Sequence, residues 1–261
     1  MLPRCTCLPD TRRGGGSMTA RASEWRKLLD KALPALDHVF GAQPEKTDSP
    51  DWTLGGGTAI AIQIDHRISY DIDIFVPGTA LRNFVPANNP ASRGISERFQ
   101  WPGHYLKFEL DEGEIDFLSP PLQTEPGFEW ARYGDRRIAL ETPEEVIIKK
   151  IRYRSAKFTP RDVYDLAAVS QERTALATIM SEETSDALPR LKESLRILEA
   201  KGGTDLSSYV TPTAKGRAIL HDAFRVAKAT VGEAMGMADR TSRQTSHDPR
   251  RFPPPDRGIG D

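Results

Sequence analysis

The chain has 261 residues, of which 38 % are hydrophobic and 28 % charged, and a formal net charge of −1. That composition fits a folded globular protein of one or two domains. It excludes a chain whose overall charge draws it to nucleic acid or membrane, and no run of about 18 apolar residues marks a membrane-spanning helix.

Residues 1–18 form a leader containing Pro, Arg and Gly, without the apolar centre of a secretory signal. It is read as disordered, with Met18 a candidate translation start. Cys5 and Cys7, the only cysteines, lie within it. Two thiols one residue apart build no disulfide framework, so a reducing cytoplasm is the expected location.

Residues 19–41 predict an amphipathic helix, with Leu28, Leu29, Ala32, Leu33, Leu36, Val39 and Phe40 at helical spacing and a kink at Pro34. A polar, turn-rich stretch follows. Trp52-Thr53-Leu54 then leads into Gly55-Gly56-Gly57, and Thr58 begins an apolar helical pattern ending at Ile64. This is a turn opening a helix. Residues 68–76 alternate as a strand, placing Ser69, Asp71, Asp73 and Phe75 on one face. Residues 77–103 are rich in Pro, Asn and Gly and predict a loop-rich excursion. Residues 105–110 and 114–118 predict a hairpin around Asp111-Glu112-Gly113.

After residue 139 the pattern turns helical. Thr142-Pro143-Glu144-Glu145 predicts a capping box opening a helix to about Arg154. Further helices are expected over 161–169, 185–200 and 213–235. Residues 236–261, with Pro253-Pro254-Pro255, read as a disordered tail. The expected fold class is α+β. A mixed unit over 19–139, including its N-terminal helix, is followed by a helical domain over 140–235.

Asp71 and Asp73 carry the main chemical signal. Two carboxylates at i and i+2 on a strand point the same way, and hard oxygen ligands suit Mg²⁺, which is usually held by one or two carboxylates plus substrate phosphates. Such a metal favours in-line displacement at phosphorus. The glycine turn complements them, since backbone amides at a helix N-terminus can approach phosphate oxygens without side-chain obstruction. Thr58 adds a hydroxyl donor.

The order of these parts resembles the polymerase-β nucleotidyltransferase superfamily. More closely, it is similar to the AbiEii/AbiGii-type nucleotidyltransferase toxins of bacterial toxin–antitoxin and phage-defence systems. Those proteins carry a Gly-Gly-Thr turn and an Arg-x-Ser-x-Asp-hydrophobic-Asp-hydrophobic-Phe strand. Here the strand reads Arg67-Ile68-Ser69-Tyr70-Asp71-Ile72-Asp73-Ile74-Phe75. The family's later lysine and its Arg-Asp-x-Tyr-Asp-Leu element correspond to Lys149-Lys150 and to Arg161-Asp162-Val163-Tyr164-Asp165-Leu166.

The resemblance covers about residues 52–170 and implies a nucleotidyltransferase fold with a small mixed sheet flanked by helices. It implies Mg²⁺ on Asp71 and Asp73, and an NTP held by Gly56, Gly57, Thr58, Ser69 and Lys150. It places Asp162 near the reacting groups, orienting a phosphate-binding residue or helping to deprotonate the incoming hydroxyl; Asp165 is one turn further on. Asp116 fits the position of a third acid, with Glu114 its same-face neighbour. The implied acceptor is RNA, such as a tRNA end, and the implied partner is a cognate antitoxin.

Plainer explanations stand beside these. Ser69 is also what a small polar strand position looks like. Asp162 and Asp165 also suit the N-terminal end of any helix. Lys149, Lys150, Arg152, Arg154, Lys157 and Arg161, with no acid among them, read either as a solvated helix face or as a patch for triphosphate or an RNA backbone. Two other functions use the same parts: a small-molecule, antibiotic-type nucleotidyltransferase, and a non-catalytic nucleotide- or RNA-binding protein of the same fold.

Overall fold

The computed structural model describes residues 6–7, 23–41, 49–202 and 205–246. In chain order the elements are β1 (Thr6–Cys7), α1 (Trp25–Phe40), β2 (Thr53–Gly55), α2 (Gly56–Ile64), β3 (Arg67–Ile68), β4 (Ile72–Phe75), β5 (Phe99–Gln100), β6 (Leu106–Leu110), β7 (Gly113–Leu118), β8 (Phe128–Tyr133) and β9 (Arg136–Glu141). Helices α3 (Pro143–Arg154), α4 (Pro160–Glu172), α5 (Leu176–Glu183) and α6 (Leu188–Ala200) follow, then strand β10 (Thr211–Pro212) and helix α7 (Ala223–Ser246). The class is α+β, as expected. Apart from β1, the predicted leader lies outside the described residues, as does the tail after residue 246.

The main sheet is mixed, in the order β1-β8-β9-β2-β4-β7-β6-β5. Its centre carries the site: β2 runs antiparallel to β4, and β4 runs parallel to β7. Alternation on β4 sends Ile72 and Ile74 into the core, fully buried, and leaves Asp73 and Phe75 on the opposite face. On β7, Ile115 and Phe117 are buried in the same way. Helix α1 packs on β4 and β7 through Leu28, Leu29, Ala32, Leu33 and Leu36. It remains one helix through Pro34, whose side chain is exposed, so the Asp30 carbonyl that loses its helical donor faces the wet side. The apolar core runs on without a break into α3–α7.

Three expectations are corrected. The single strand over 68–76 is broken at Ser69–Asp71: β3 leaves the main sheet and pairs with β10, and only β4 joins β2 and β7. Thr142 caps α3 by accepting from the Glu145 N–H at 3.2 Å, but no reciprocal bond forms. The Glu145 carboxylate instead accepts from the backbone of Gln123 and Thr124. The full capping box is at α4, between Thr159 and Asp162. Helix α7 begins at Ala223 and continues to Ser246 rather than ending near 235; its run of Ala, Met and Arg tolerates Gly236, which costs only about 1 kcal/mol in a helix.

Candidate active site

One cleft of about 680 Å³ gathers Gly56, Gly57, Ser69, Asp71, Asp73, Asp116, Lys150 and Asp162. Every sequence-predicted site residue except Thr58 lines it. Thr58 is buried, and its hydroxyl donates to the Asp71 carbonyl. It therefore fixes the backbone that presents Asp71 and has no free donor for a ligand.

The glycine turn is required by its neighbours as well as by any phosphate. Gly56 has φ +64°, and a Cβ there would overlap the Asp73 carboxylate. A Cβ on Gly57 would overlap the Arg67 guanidinium. The bare backbone thus lets an acid and a base both sit against the first turn of α2, where the N–H groups lack helical partners.

Asp73 is registered directly against Asp116 across the parallel β4–β7 pair. Burial pushes the Asp73 carboxyl up, against the opposing pull of Lys150 and Arg154. Asp116 is pushed to about 7, first by burial and then by the charge of Asp73, with Lys107 opposing. Lys107 Nζ stands 3.6 Å from Asp116 Oδ2 and is hydrogen-bonded to Glu114. Asp116 Oδ1 is buried without a partner among the described residues. Asp71, just outside β4, accepts the Glu114 N–H at 3.1 Å through Oδ1. Three acids facing one cleft, one with an orphaned oxygen and two held above their ordinary pKa, suit a hard cation. Among the described residues no three His, Cys, Asp or Glu converge on one point. The oxygen donors that would hold such a cation are Asp71 and Asp73.

A cationic wall of the same cleft rests on Asp165. This carboxylate is fully buried and accepts from His66 Nε2 at 2.8 Å, Arg67 Nε at 2.7 Å, Arg67 Nη2 at 3.1 Å and Lys150 Nζ at 2.5 Å. Burial alone would raise its pKa, but Arg67 and Lys150 hold it well below the usual carboxylate range. Arg67 Nη1 also donates to Ser69 Oγ at 3.1 Å. Lys150 Nζ lies 2.9 Å from Asp162 Oδ1, which also receives Arg154 Nη2 at 2.6 Å. Asp162 Oδ2 accepts the Thr159 N–H and hydroxyl at 3.0 and 2.8 Å. With Lys150 and Arg154 outweighing burial, its pKa is lowered. A carboxylate so engaged is a weak base, and its geometry orients Lys150 and Arg154.

Neither lysine belongs to a solvated helix face. Lys149 and Lys150 are both buried. Lys149 Nζ lies 2.6 Å from Glu141 Oε1, 3.5 Å from Glu145 Oε1 and 3.7 Å from the Phe75 ring centroid.

Glu141, at the end of β9, was not singled out by the sequence. It is fully buried, accepts the Thr53 hydroxyl at 2.6 Å, and leaves Oε2 without a partner among the described residues. Burial outweighs Lys149 and Thr53 and pushes its carboxyl up to about 7. A carboxyl raised in the folded state binds its proton more tightly there than in the unfolded chain. Its stability contribution is therefore complete below the ordinary value of 4.5 and is lost as pH rises through about 7. Between those pH values, wild-type melting temperature should fall relative to Glu141→Gln; parallel profiles would contradict the assignment.

Arg67 also escaped assignment, although it stood in the quoted motif. Its partner Asp165 lies far along the sequence, and only the fold makes the pair. Glu141 carries no motif of its own, and its place in the cleft follows only from the β8–β9 hairpin.

A helix N-terminus, facing acids and a cationic wall around one cleft are the equipment of phosphoryl-transfer enzymes of the nucleotidyltransferase class. The family model described as "Nucleotidyl transferase AbiEii toxin, Type IV TA system" matches residues 40–200. The chain belongs to that family and is a nucleotidyltransferase. A search of the curated proteins returns no match.

Among solved structures, JHP933 from Helicobacter pylori is similar at 14 % identity and a TM-score of 0.42, over 87 % of this chain and 98 % of that one. The nucleotidyltransferase toxin MenT4 from Mycobacterium tuberculosis H37Rv is similar at 15 % identity and a TM-score of 0.46, over 85 % and 91 %. Likenesses this distant add nothing to the functional reading. Among the described residues no helix is long and apolar enough to cross a membrane.

Proposed function

We propose that the protein moves a nucleoside monophosphate from an NTP to a hydroxyl of RNA, such as a tRNA end. In this reading it is the toxin of a toxin–antitoxin or phage-defence pair, with a cognate antitoxin as partner. The observation that carries the chemistry is the pairing of Asp73 with Asp116 in the same cleft as Arg67 and Lys150. The acceptor oxygen attacks the α-phosphorus, the bond from that phosphorus to the β-phosphate oxygen breaks, and pyrophosphate leaves. Asp116, whose side chain is 21 % exposed and whose carboxyl is pushed up to about 7, takes the hydroxyl proton. Gly56 and Gly57 amides, Ser69, Arg67 and Lys150 hold the triphosphate, and Asp162 and Asp165 fix the two cations in place. Asp71 and Asp73 would hold Mg²⁺, which would supply charge neutralisation at the phosphates.

The test is incubation of the protein with each labelled NTP, Mg²⁺ and total cellular RNA, followed by detection of label in RNA. Absence of label with every NTP, while Mg²⁺-dependent NTP binding persists, would favour a non-catalytic binder; label on a small molecule would favour the antibiotic-type enzyme.

The lysines separate by partner. Lys150 joins the cationic wall through Asp162 and Asp165, whereas Lys149 is drawn to Glu141 and Glu145. Lys150→Ala should raise the KM for NTP more than Lys149→Ala does. Equal small effects would remove Lys150 from the phosphate site.

A further inference from the structure

Two large aromatic side chains stand exposed in a cleft that also carries acids and cations. Tyr153 is 54 % exposed and Tyr209 is 48 % exposed, and both line the same cavity as the glycine turn and the acids. Neither phenol is hydrogen-bonded to another described residue. They come from separate segments. Tyr153 lies on α3, three residues beyond Lys150, so both share one helical face. Tyr209 follows the 3-10 turn Leu206–Ser208, and its N–H bonds to the Leu206 carbonyl at 3.0 Å.

The backbone under Tyr209 is well held. Asp205 Oδ1 accepts the Ser207 N–H at 3.0 Å, Val210 is buried, and β10 immediately afterwards pairs with β3, the strand of Arg67. An aromatic ring left in water on a fixed backbone, lining the same cleft as another, is suited to a flat π-system. The cleft also has a polarity along α3. Its inner turn carries Lys149 and Lys150, both buried and paired with acids, and the next turn carries Tyr153 and the partly exposed Arg154. One helical turn rises about 5.4 Å. A ligand with its phosphates at Lys150 therefore has its sugar and base at the level of the tyrosines.

We propose that Tyr153 and Tyr209 form the nucleobase subsite of the cleft, holding the base of the bound NTP by stacking. This rests on the nucleotidyltransferase reading of the same cleft. Stacking uses a face that every base has, so the subsite is tolerant of base identity.

The test uses the full chain with Mg²⁺ and two probes in calorimetric titration. One is an NTP analogue with a methylene bridge between the α- and β-phosphorus; the other is inorganic triphosphate, which has no base. Tyr153→Ala and Tyr209→Ala should weaken the nucleotide analogue by roughly ten- to hundredfold, and should leave triphosphate binding unchanged. Tyr153→Phe and Tyr209→Phe keep the ring and should bind nearly as the wild type.

Nucleotide affinity unchanged in both alanine variants overturns the proposal. If the KM for RNA rises in those variants instead, the tyrosines serve the acceptor. Equal losses for triphosphate, or phenylalanine variants as weak as alanine, overturn it as well. Wild-type protein that binds neither probe is a separate failure, because it removes the phosphate site on which the subsite depends.

Discussion

Asp73→Asn is expected to abolish nucleotidyl transfer and at the same time to raise the melting temperature of the metal-free protein. Both effects have one cause. Asp73 lies in register with Asp116, and both carboxyls are held above their ordinary values, Asp73 by burial and the charge of Asp71, Asp116 by burial and the charge of Asp73. Ionising the pair in the folded state is therefore costly without a cation, and a neutral isostere relieves the repulsion. The same charge is what the reacting phosphates need. Removing a charge used in the transition state should cost on the order of 10³-fold in rate.

Thermal melts with and without Mg²⁺ separate the contributions. A ligand that binds only the folded state raises its apparent stability, and that Mg²⁺-dependent rise should vanish in Asp73→Asn. Asp71→Asn should lose activity to a similar extent with a smaller gain in stability, because Asp71 Oδ1 also accepts the Glu114 N–H. Activity retained in either variant would sink the assignment of these acids to the reaction.

Local patterns in the sequence placed the centre of this site well. The alternation of Ile72, Asp73, Ile74 and Phe75 is visible in four letters, and so is the face of Asp116 between Ile115 and Phe117. Both follow from the period-two geometry of a strand. The register that sets Asp73 against Asp116 is not local, since it depends on β4 and β7 meeting in parallel across the excursion and the hairpin. Ser69–Asp71 kept an alternating pattern yet left the sheet, because β3 is drawn to β10, more than a hundred residues later. The β8–β9 hairpin had a signal in the Gly134-Asp135 turn, where Gly134 takes φ +57°. Missing it also hid Glu141. The sequence left the two lysines open between a solvated helix face and a phosphate patch, because charge runs are usually surface. Whether a cation is buried depends on which acids the fold brings to it, and those acids came from β9 and α4.

The same dependence on distant partners makes Asp165 the position where substitution should harm the fold most. It is 0 % exposed and serves Arg67, Lys150 and His66 together. Removing one partner of a buried ionic group leaves the others charged and unpaired, which typically costs about 3–5 kcal/mol. Asp165→Ala should therefore lower the free energy of urea unfolding at pH 7 by about that amount.

The pH dependence has a definite sign. The folded-state pKa of Asp165 is depressed below the ordinary 3.8. Its contribution is thus present above that value and is lost as pH falls through the folded-state pKa. Wild-type stability should drop at strongly acid pH, and the drop should be smaller in Asp165→Ala.

A second substitution distinguishes lost charge from lost shape. Lys150→Met in the Asp165→Ala background removes one of the stranded cations, so the double variant should be more stable than the sum of the single effects implies. Strict additivity would mean that Asp165 fills space without organising charge. In that case the cationic wall of the cleft would need another explanation for its geometry.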